Sequence, residues 1–479
     1  MNQSPAPRRL QHALAILAGA ITLCWPAFYN RYPLLFPDSL GYIEAGPPVA
    51  RAIFLHQLSA GYGMRSLIYA LGILPFHWLV TPWPVVALHA LITAWILWLV
   101  VRSVLPRNTA TYFLAIIIIL SALTSASWYV SLIMPDILGP ALYLAIYLLV
   151  FARNTLSKTE RIVLAIIACW AVASHATHLM LGGLICAALI ILLARKSFRR
   201  HLRAIAEIAA ILIVAALAQI ALNAYLYGQP VLDARRPPYL TARVIGDGTG
   251  RDYLKTHCPQ ANLVLCDSVD HLPTNDDEFL WAEGSIWSTA DEEKQQQLRR
   301  EEIPFVLATI RAYPRAQLAK SLGNSWQQLT NFDIDDFDSN AWMDAALPNV
   351  IPGANIPYAR SLQSRSALPE NSFSTIQFWI VIASLLFVLI SLPILWRHRS
   401  CKLFALSLLI LPTVLANGVL TAVLSDLDGR YQARVIWLIP LLALLMLADH
   451  IPQRKIQTWS SSSTTTTPSP TTSSSTWAN

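Results

Sequence analysis

Apolar stretches, each close to the length that crosses a hydrocarbon core, alternate along this chain with short polar loops. A crossing helix needs about 20 apolar residues. Apolar runs near that length, with Glu207 and Asp449 the only charges in them, fall at 11–29, 84–101, 110–130, 137–152, 162–194, 204–222, 375–396, 403–424 and 435–449. At about 1.5 Å per residue the 162–194 run would reach about 50 Å, too long for one span, so a break is expected near Ser174-His175. The stretch Arg65–Val80 is apolar but short, and Arg65 and the run Thr81-Pro82-Trp83-Pro84 bound it. It reads as a re-entrant or interfacial juxtamembrane helix. The pattern therefore predicts an all-α polytopic membrane protein of about ten transmembrane helices, with one juxtamembrane helix and a small extracytoplasmic, mainly helical domain.

Charge gives the ten spans a direction. With the N-terminus inside, the inner loops hold Arg8/Arg9, Arg102/Arg107, Arg153/Lys158/Arg161, Arg195/Lys196/Arg199/Arg200/Arg203, Arg397/Arg399/Lys402 and Arg454/Lys455. Only Glu160, Glu207 and Asp449 among the acids lie in or beside those loops, as the positive-inside rule requires. The remaining acids gather outside, so the formal net charge of +7 is a topology signal and no reason to expect nucleic acid. With 55% of residues hydrophobic and 13% charged, a soluble globule is excluded; average soluble domains carry about 25% charged residues. The first span has the basic flank of a signal peptide but no small-residue cleavage site before Trp25-Pro26-Ala27-Phe28-Tyr29, and reads as a retained helix. The expected location is a bacterial inner (plasma) membrane, with both termini cytoplasmic.

Four regions follow: an N-terminal transmembrane module 1–222 with an outer loop 30–83, an extracytoplasmic segment 223–373, a C-terminal transmembrane module 374–452, and a low-complexity Ser/Thr tail 453–479 expected to be disordered. Within the soluble segment, Asp291–Ala319 passes from charged residues to apolar residues at helical spacing, which predicts one or two amphipathic helices. Cys258 and Cys266, alone of six cysteines, fall outside the membrane region; in an oxidising compartment they favour a disulfide, with two unpaired buried thiols as the alternative. No Cys/His set has zinc spacing, so no metal site is expected.

Candidate chemistry gathers at the outer surface. Asp38, in Phe36-Pro37-Asp38-Ser39, follows the first span; a partly desolvated carboxylate there can act as a general base or bind a cation, and the alternative is a cap on a short helix Leu40–Ala45. Glu44 follows in the same loop. Asp136, in Met134-Pro135-Asp136, opens the fourth span, again with a cap as the alternative. Two Pro-Asp pairs at one depth can face one cavity. Arg430 and Arg434 stand four apart at the start of the last span and offer a fork of donors suited to phosphate, the alternative being ion pairs with Asp426 and Asp428. His175 and His178 sit at membrane depth, where polar groups usually line a cavity, or else cap the hairpin.

Together these features resemble the GT-C superfamily of multi-span glycosyltransferases that use polyprenyl-phosphate-linked sugars. The resemblance lies in the order of parts: Asp38 after span one, Arg65-x-x-x-Tyr69 in the juxtamembrane helix, Asp136 at span four, a polar hairpin with His175 and His178, and Arg430-Tyr431 with Pro440 in the last span. Asp38 has no adjacent acid, and histidines stand where many members carry a lysine. The resemblance implies Asp38 as catalytic base with Asp136 beside it, and Arg65, Tyr69, Arg430, Tyr431 and Arg434 around the donor lipid phosphate. Glu44, His175 and His178 would line the cavity. The expected function is inverting transfer of a sugar from the lipid donor to an extracytoplasmic glycan, lipid or protein acceptor. No cofactor is obligatory in this reading; a divalent cation at Asp136 is an alternative use of that carboxylate. The rival readings are a transporter or flippase of a lipid-linked or anionic solute, and a non-catalytic envelope assembly protein.

Overall fold

The computed structural model describes residues 5–59, 61–335, 337, 338, 341–397 and 401–450, so the Ser/Thr tail lies outside the described residues. Among them every regular element is helical, and the one extended pairing is a single parallel bridge between Leu34 and Leu132. Five helices are long and apolar enough to cross a membrane: Trp83–Val104, Lys196–Tyr227, Glu370–Arg397, Lys402–Leu424 and Gly429–His450. Shorter apolar helices are Leu10–Leu23, Leu67–His77, Thr109–Leu123, Pro135–Phe151 and Ala176–Leu192. Many carry exposed apolar stripes; in the first, Leu10, Leu14, Leu17 and Ile21 share one side. Water does not tolerate such a surface, and the apolar helices mark a membrane protein.

The long run 162–194 does break at His175, into Lys158–Ser174 and Ala176–Leu192. The first of these starts with a reciprocal cap. Glu160 N–H donates to Ser157 Oγ (3.2 Å), and Ser157 N–H donates to the Glu160 carboxylate (2.7 Å). At His175 the backbone turns extended, and the imidazole Nδ1 accepts from Thr177 N–H (3.2 Å), starting the next helix. Two other runs are interrupted too: Pro5–Leu23 is followed by Trp25–Asn30, and Thr109–Leu123 by Ala126–Ser131. At the second interruption the Gln377 side chain accepts from Ser125 N–H, replacing a lost helical bond.

The bundle's two ends differ in what they carry. At one, Arg102 forks onto Glu160 (2.8 and 3.0 Å), Arg153 onto Glu207 (2.5 and 2.7 Å), and Lys402 donates to Ser103 O (2.8 Å). These partners come from the loops that the charge pattern groups together. The other end carries the segment between Tyr227 and Glu370, which divides. Residues from Tyr239 to Val306 enclose their own apolar core around Ile245, Phe279, Trp287 and Phe305, braced by a Cys258–Cys266 disulfide. Residues from Phe332 to Tyr358 instead join the core of the bundle. The amphipathic stretch forms two helices, Glu292–Ala312 and Pro314–Thr330, parted where Pro314 withdraws an N–H.

Candidate functional site

The Pro-Asp loops are zipped together by backbone. Leu34 N–H donates to Ser131 O (3.0 Å) and Ile133 N–H to Leu34 O (3.1 Å), so the residues leading into Asp38 and Asp136 run side by side. Gln363 clamps the first loop from above: its side chain accepts from Leu35 N–H (3.1 Å) and donates to Leu35 O (2.6 Å), while its own N–H donates to Asn30 Oδ1 (2.7 Å).

Beyond this clamp Pro37 opens a helix, Pro37–Leu55, longer than the short Leu40–Ala45 helix weighed from sequence. Ser39 Oγ accepts from Phe36 N–H (2.9 Å), so Ser39 closes the helix start and leaves the Asp38 carboxylate for another partner. That partner is Arg65, which forms an ion pair with it. Gly41 makes room, since a Cβ there would stand 3.2 Å from Arg65 Cγ. The other side of the Arg65 guanidinium lies over the Trp281 ring, 5.2 Å from its centroid.

Asp136 meets Arg434 at 3.2 Å, with both side chains buried. One turn earlier, Arg430 pairs with Asp428 (3.3 Å), and its guanidinium lies 3.9 Å from the Phe36 ring centroid. Tyr431 stands between the two arginines, 5.2 and 5.3 Å from its ring to their guanidinium carbons. Asp428 caps the Gly429–Ile436 helix by accepting from Arg430 N–H (2.8 Å), and Tyr129 donates its hydroxyl proton to Arg430 O (3.2 Å). Three arginines thus face three aspartates, a balance without which buried charges would be costly.

Burial pushes the Asp38 carboxyl above the ordinary carboxylate range; Arg65 and Arg430 oppose the shift, while Asp136 and Asp428 add to it. The ion pairs leave part of the guanidinium forks unfilled. Nε and Nη1 of Arg430, Nε and Nη2 of Arg434, and Oδ2 of Asp136 are buried without a hydrogen-bond partner. Donors so placed suit an oxyanion.

The remaining sequence candidates are placed as follows. Tyr69 lies edge-on to Tyr42 and shares a hydrogen bond with His89 (3.1 Å), behind the ion pairs rather than among them. His178 is buried, with Nδ1 at 2.8 Å from Ala171 O and Nε2 unpartnered against Gly139, within electrostatic reach of Arg434 and Asp136. His175 caps its helix and lies within electrostatic reach of Arg65, Arg430 and Arg434. Glu44 is exposed, on a different side of its helix from Asp38. Sequence reasoning missed Phe36, Tyr42, Trp281 and Tyr239; Tyr239 comes from the soluble segment and lies within electrostatic reach of both Arg65 and Asp38. Among the described residues no group of three His, Cys, Asp or Glu side chains is arranged to hold a metal ion. No protein-family model, curated protein or solved structure matches the chain.

Proposed function

We propose that the protein is a membrane glycosyltransferase of GT-C type, taking a sugar from a polyprenyl-phosphate donor at the outer face of a bacterial inner membrane. The observation that carries the reading is the pair Arg430 and Arg434, with unfilled, buried N–H donors, in one cluster with Asp38, whose carboxyl burial raises and whose charge Arg430 feels. In this reading ten segments cross, Lys158–Ser174 among them, and Leu67–His77 is the juxtamembrane helix. The kinked and shorter helices complete the count, the end carrying Arg102, Arg153 and Lys402 is cytoplasmic, and the Tyr239–Val306 region stands outside.

Asp38 takes the proton from an acceptor hydroxyl or amine, and the freed electron pair attacks the anomeric carbon. The bond from that carbon to the phosphate oxygen breaks, and its electrons leave on the polyprenyl phosphate. The developing charge falls on the open donors of Arg430 and Arg434, and Arg65 joins them once the donor draws it from Asp38. Attack opposite the leaving group inverts the anomeric centre. Positioning of Asp136 follows from its pair with Arg434, which holds that guanidinium in place.

The test compares lipid-linked sugars and surface glycans by mass spectrometry in a strain lacking the chain, restored either with the wild type or with Asp38→Asn. Restoration by wild type alone, with a polyprenyl-phosphate sugar accumulating in the other two strains, identifies the step. Full restoration by Asp38→Asn defeats the proposal.

A further inference from the structure

The outward face of the Pro314–Thr330 helix is apolar. Leu318, Leu322 and Trp326 are 61%, 63% and 71% exposed, and their spacing of four puts them on one stripe. Arg315 stands one turn earlier on that stripe, Lys320 is also exposed, and the helix contains no acid. Its other face is occupied. Gln317 donates to Asp247 (2.7 Å), and Gln328 grips the backbone of Asp428 from both sides, donating to its carbonyl (2.7 Å) and accepting from its N–H (3.1 Å).

What covers the stripe follows from its height. The helix packs along Cys401–Leu424, and the Leu329 side chain fills the space over Gly418, where a Cβ would stand 2.7 Å from it. Gly418 lies six residues before Leu424, the end of a helix apolar and long enough to cross a membrane. At about 1.5 Å per residue, Leu329 is therefore about 9 Å below that end. The helix climbs from there toward Gln317 and Asp247. Trp326 stands about 4 Å below the end, Leu322 near it, and Leu318 about 7 Å above it. The headgroup layer adds about 5–7 Å to each side of the hydrocarbon core, so the stripe spans the boundary. Tryptophan is enriched at that level, and basic side chains reach from it to lipid phosphates. Leu408, Leu415 and Val419 of the packed span are themselves exposed apolar side chains.

We infer that this helix anchors the soluble segment in the adjoining leaflet of the bilayer, with Leu322 and Trp326 among the lipids, Leu318 at the headgroup edge and Lys320 at the phosphates. The inference needs a membrane around the Lys402–Leu424 span and is independent of sugar transfer. It has a structural consequence. Gln328 holds Asp428, and Asp428 holds Arg430, so the depth of the anchor sets the height of the Arg430 loop. The experiment places a photo-crosslinker in the full chain in native membranes, as Leu322→p-benzoylphenylalanine and Trp326→p-benzoylphenylalanine, with Glu293→p-benzoylphenylalanine as an exposed control. Mass spectrometry after illumination is expected to find phospholipid adducts at 322 and 326 several-fold above those at 293. Yields there no higher than at 293, or cross-links to protein in place of lipid, overturn the inference.

Discussion

Loss of the Arg434 side chain is expected to be costly. That side chain is wholly buried and paired with Asp136, and breaking a buried pair from one side leaves an uncompensated charge worth about 3–5 kcal/mol. Arg434→Met is therefore expected to lower the thermal unfolding midpoint sharply. Asp136→Asn with Arg434→Met is expected to recover much of the loss, because neither partner then remains charged; a double variant no more stable than the single one contradicts this account. Asp38 makes a different prediction. Its carboxyl is raised by burial, and as the proposed base it must be ionised to accept a proton, so the rate of the proposed transfer is expected to rise with pH through a pKa above that of an ordinary aspartate, then level off. A pH–rate profile flat across the acidic range contradicts the base role. At this scale the sequence was informative where a motif named a charge and silent on its partner. Arg430 takes Asp428, one of the two weighed from sequence, but Arg434 reaches nearly 300 residues back to Asp136. No spacing along the chain encodes that pairing.

At the scale of elements, periodicity and breakers located the long apolar helices and the break at His175, because a run of 33 residues is too long for one crossing. The Pro37–Leu55 helix was harder to read. Pro47 and Pro48 sit inside it, and a prolyl pair ordinarily argues for an end. Glu44 was grouped with Asp38 by nearness in sequence, yet six residues at about 100° each turn it well away from Asp38. The soluble segment looked uniform because its polar composition hides two fates: the Tyr239–Val306 part closes its own core, and Phe332–Tyr358 packs into the bundle. That first core is tight at Gly250, where an added Cβ would meet the Val244 carbonyl carbon and oxygen at 2.9 Å. Backbone cannot step aside as a side-chain tip can. Gly250→Ala is expected to destabilise this part by about 1–3 kcal/mol, read as faster proteolysis within 239–306 while the bundle helices stay protected. Equal protection of both regions contradicts it.

For the whole molecule, the contacts between the soluble segment and the bundle decide whether the arginine site is roofed. Trp281 reaches Arg65, Gln328 holds Asp428, and the Asp276 and Asp426 carboxyls share a hydrogen bond. Burial, with Asp276 alongside, pushes the Asp426 carboxyl up to about 7. A raised carboxyl binds a proton more tightly folded than unfolded. Its stabilising contribution is complete below the ordinary aspartate range and is lost as pH rises through about 7. The unfolding midpoint of the wild type is thus expected to fall as pH rises from about 4 to about 7 and to level off above that, and Asp426→Asn to lessen that fall; an unchanged pH dependence in the variant contradicts this. None of these contacts was legible beforehand, because docking of one folded part on another depends on surfaces that no local pattern records.

The proposal makes Asp38 the base in a transfer from a lipid phosphate. It is tested most directly on purified protein in nanodiscs, supplied with a panel of short-chain polyprenyl-phosphate hexoses and pentoses and an envelope fraction as acceptor, by measuring the polyprenyl phosphate released. Wild type and Glu44→Gln are expected to release it at similar rates, and Asp38→Asn to be slower by about 10²–10⁴-fold, the usual contribution of a general base. Release by Asp38→Asn at the wild-type rate would contradict the account.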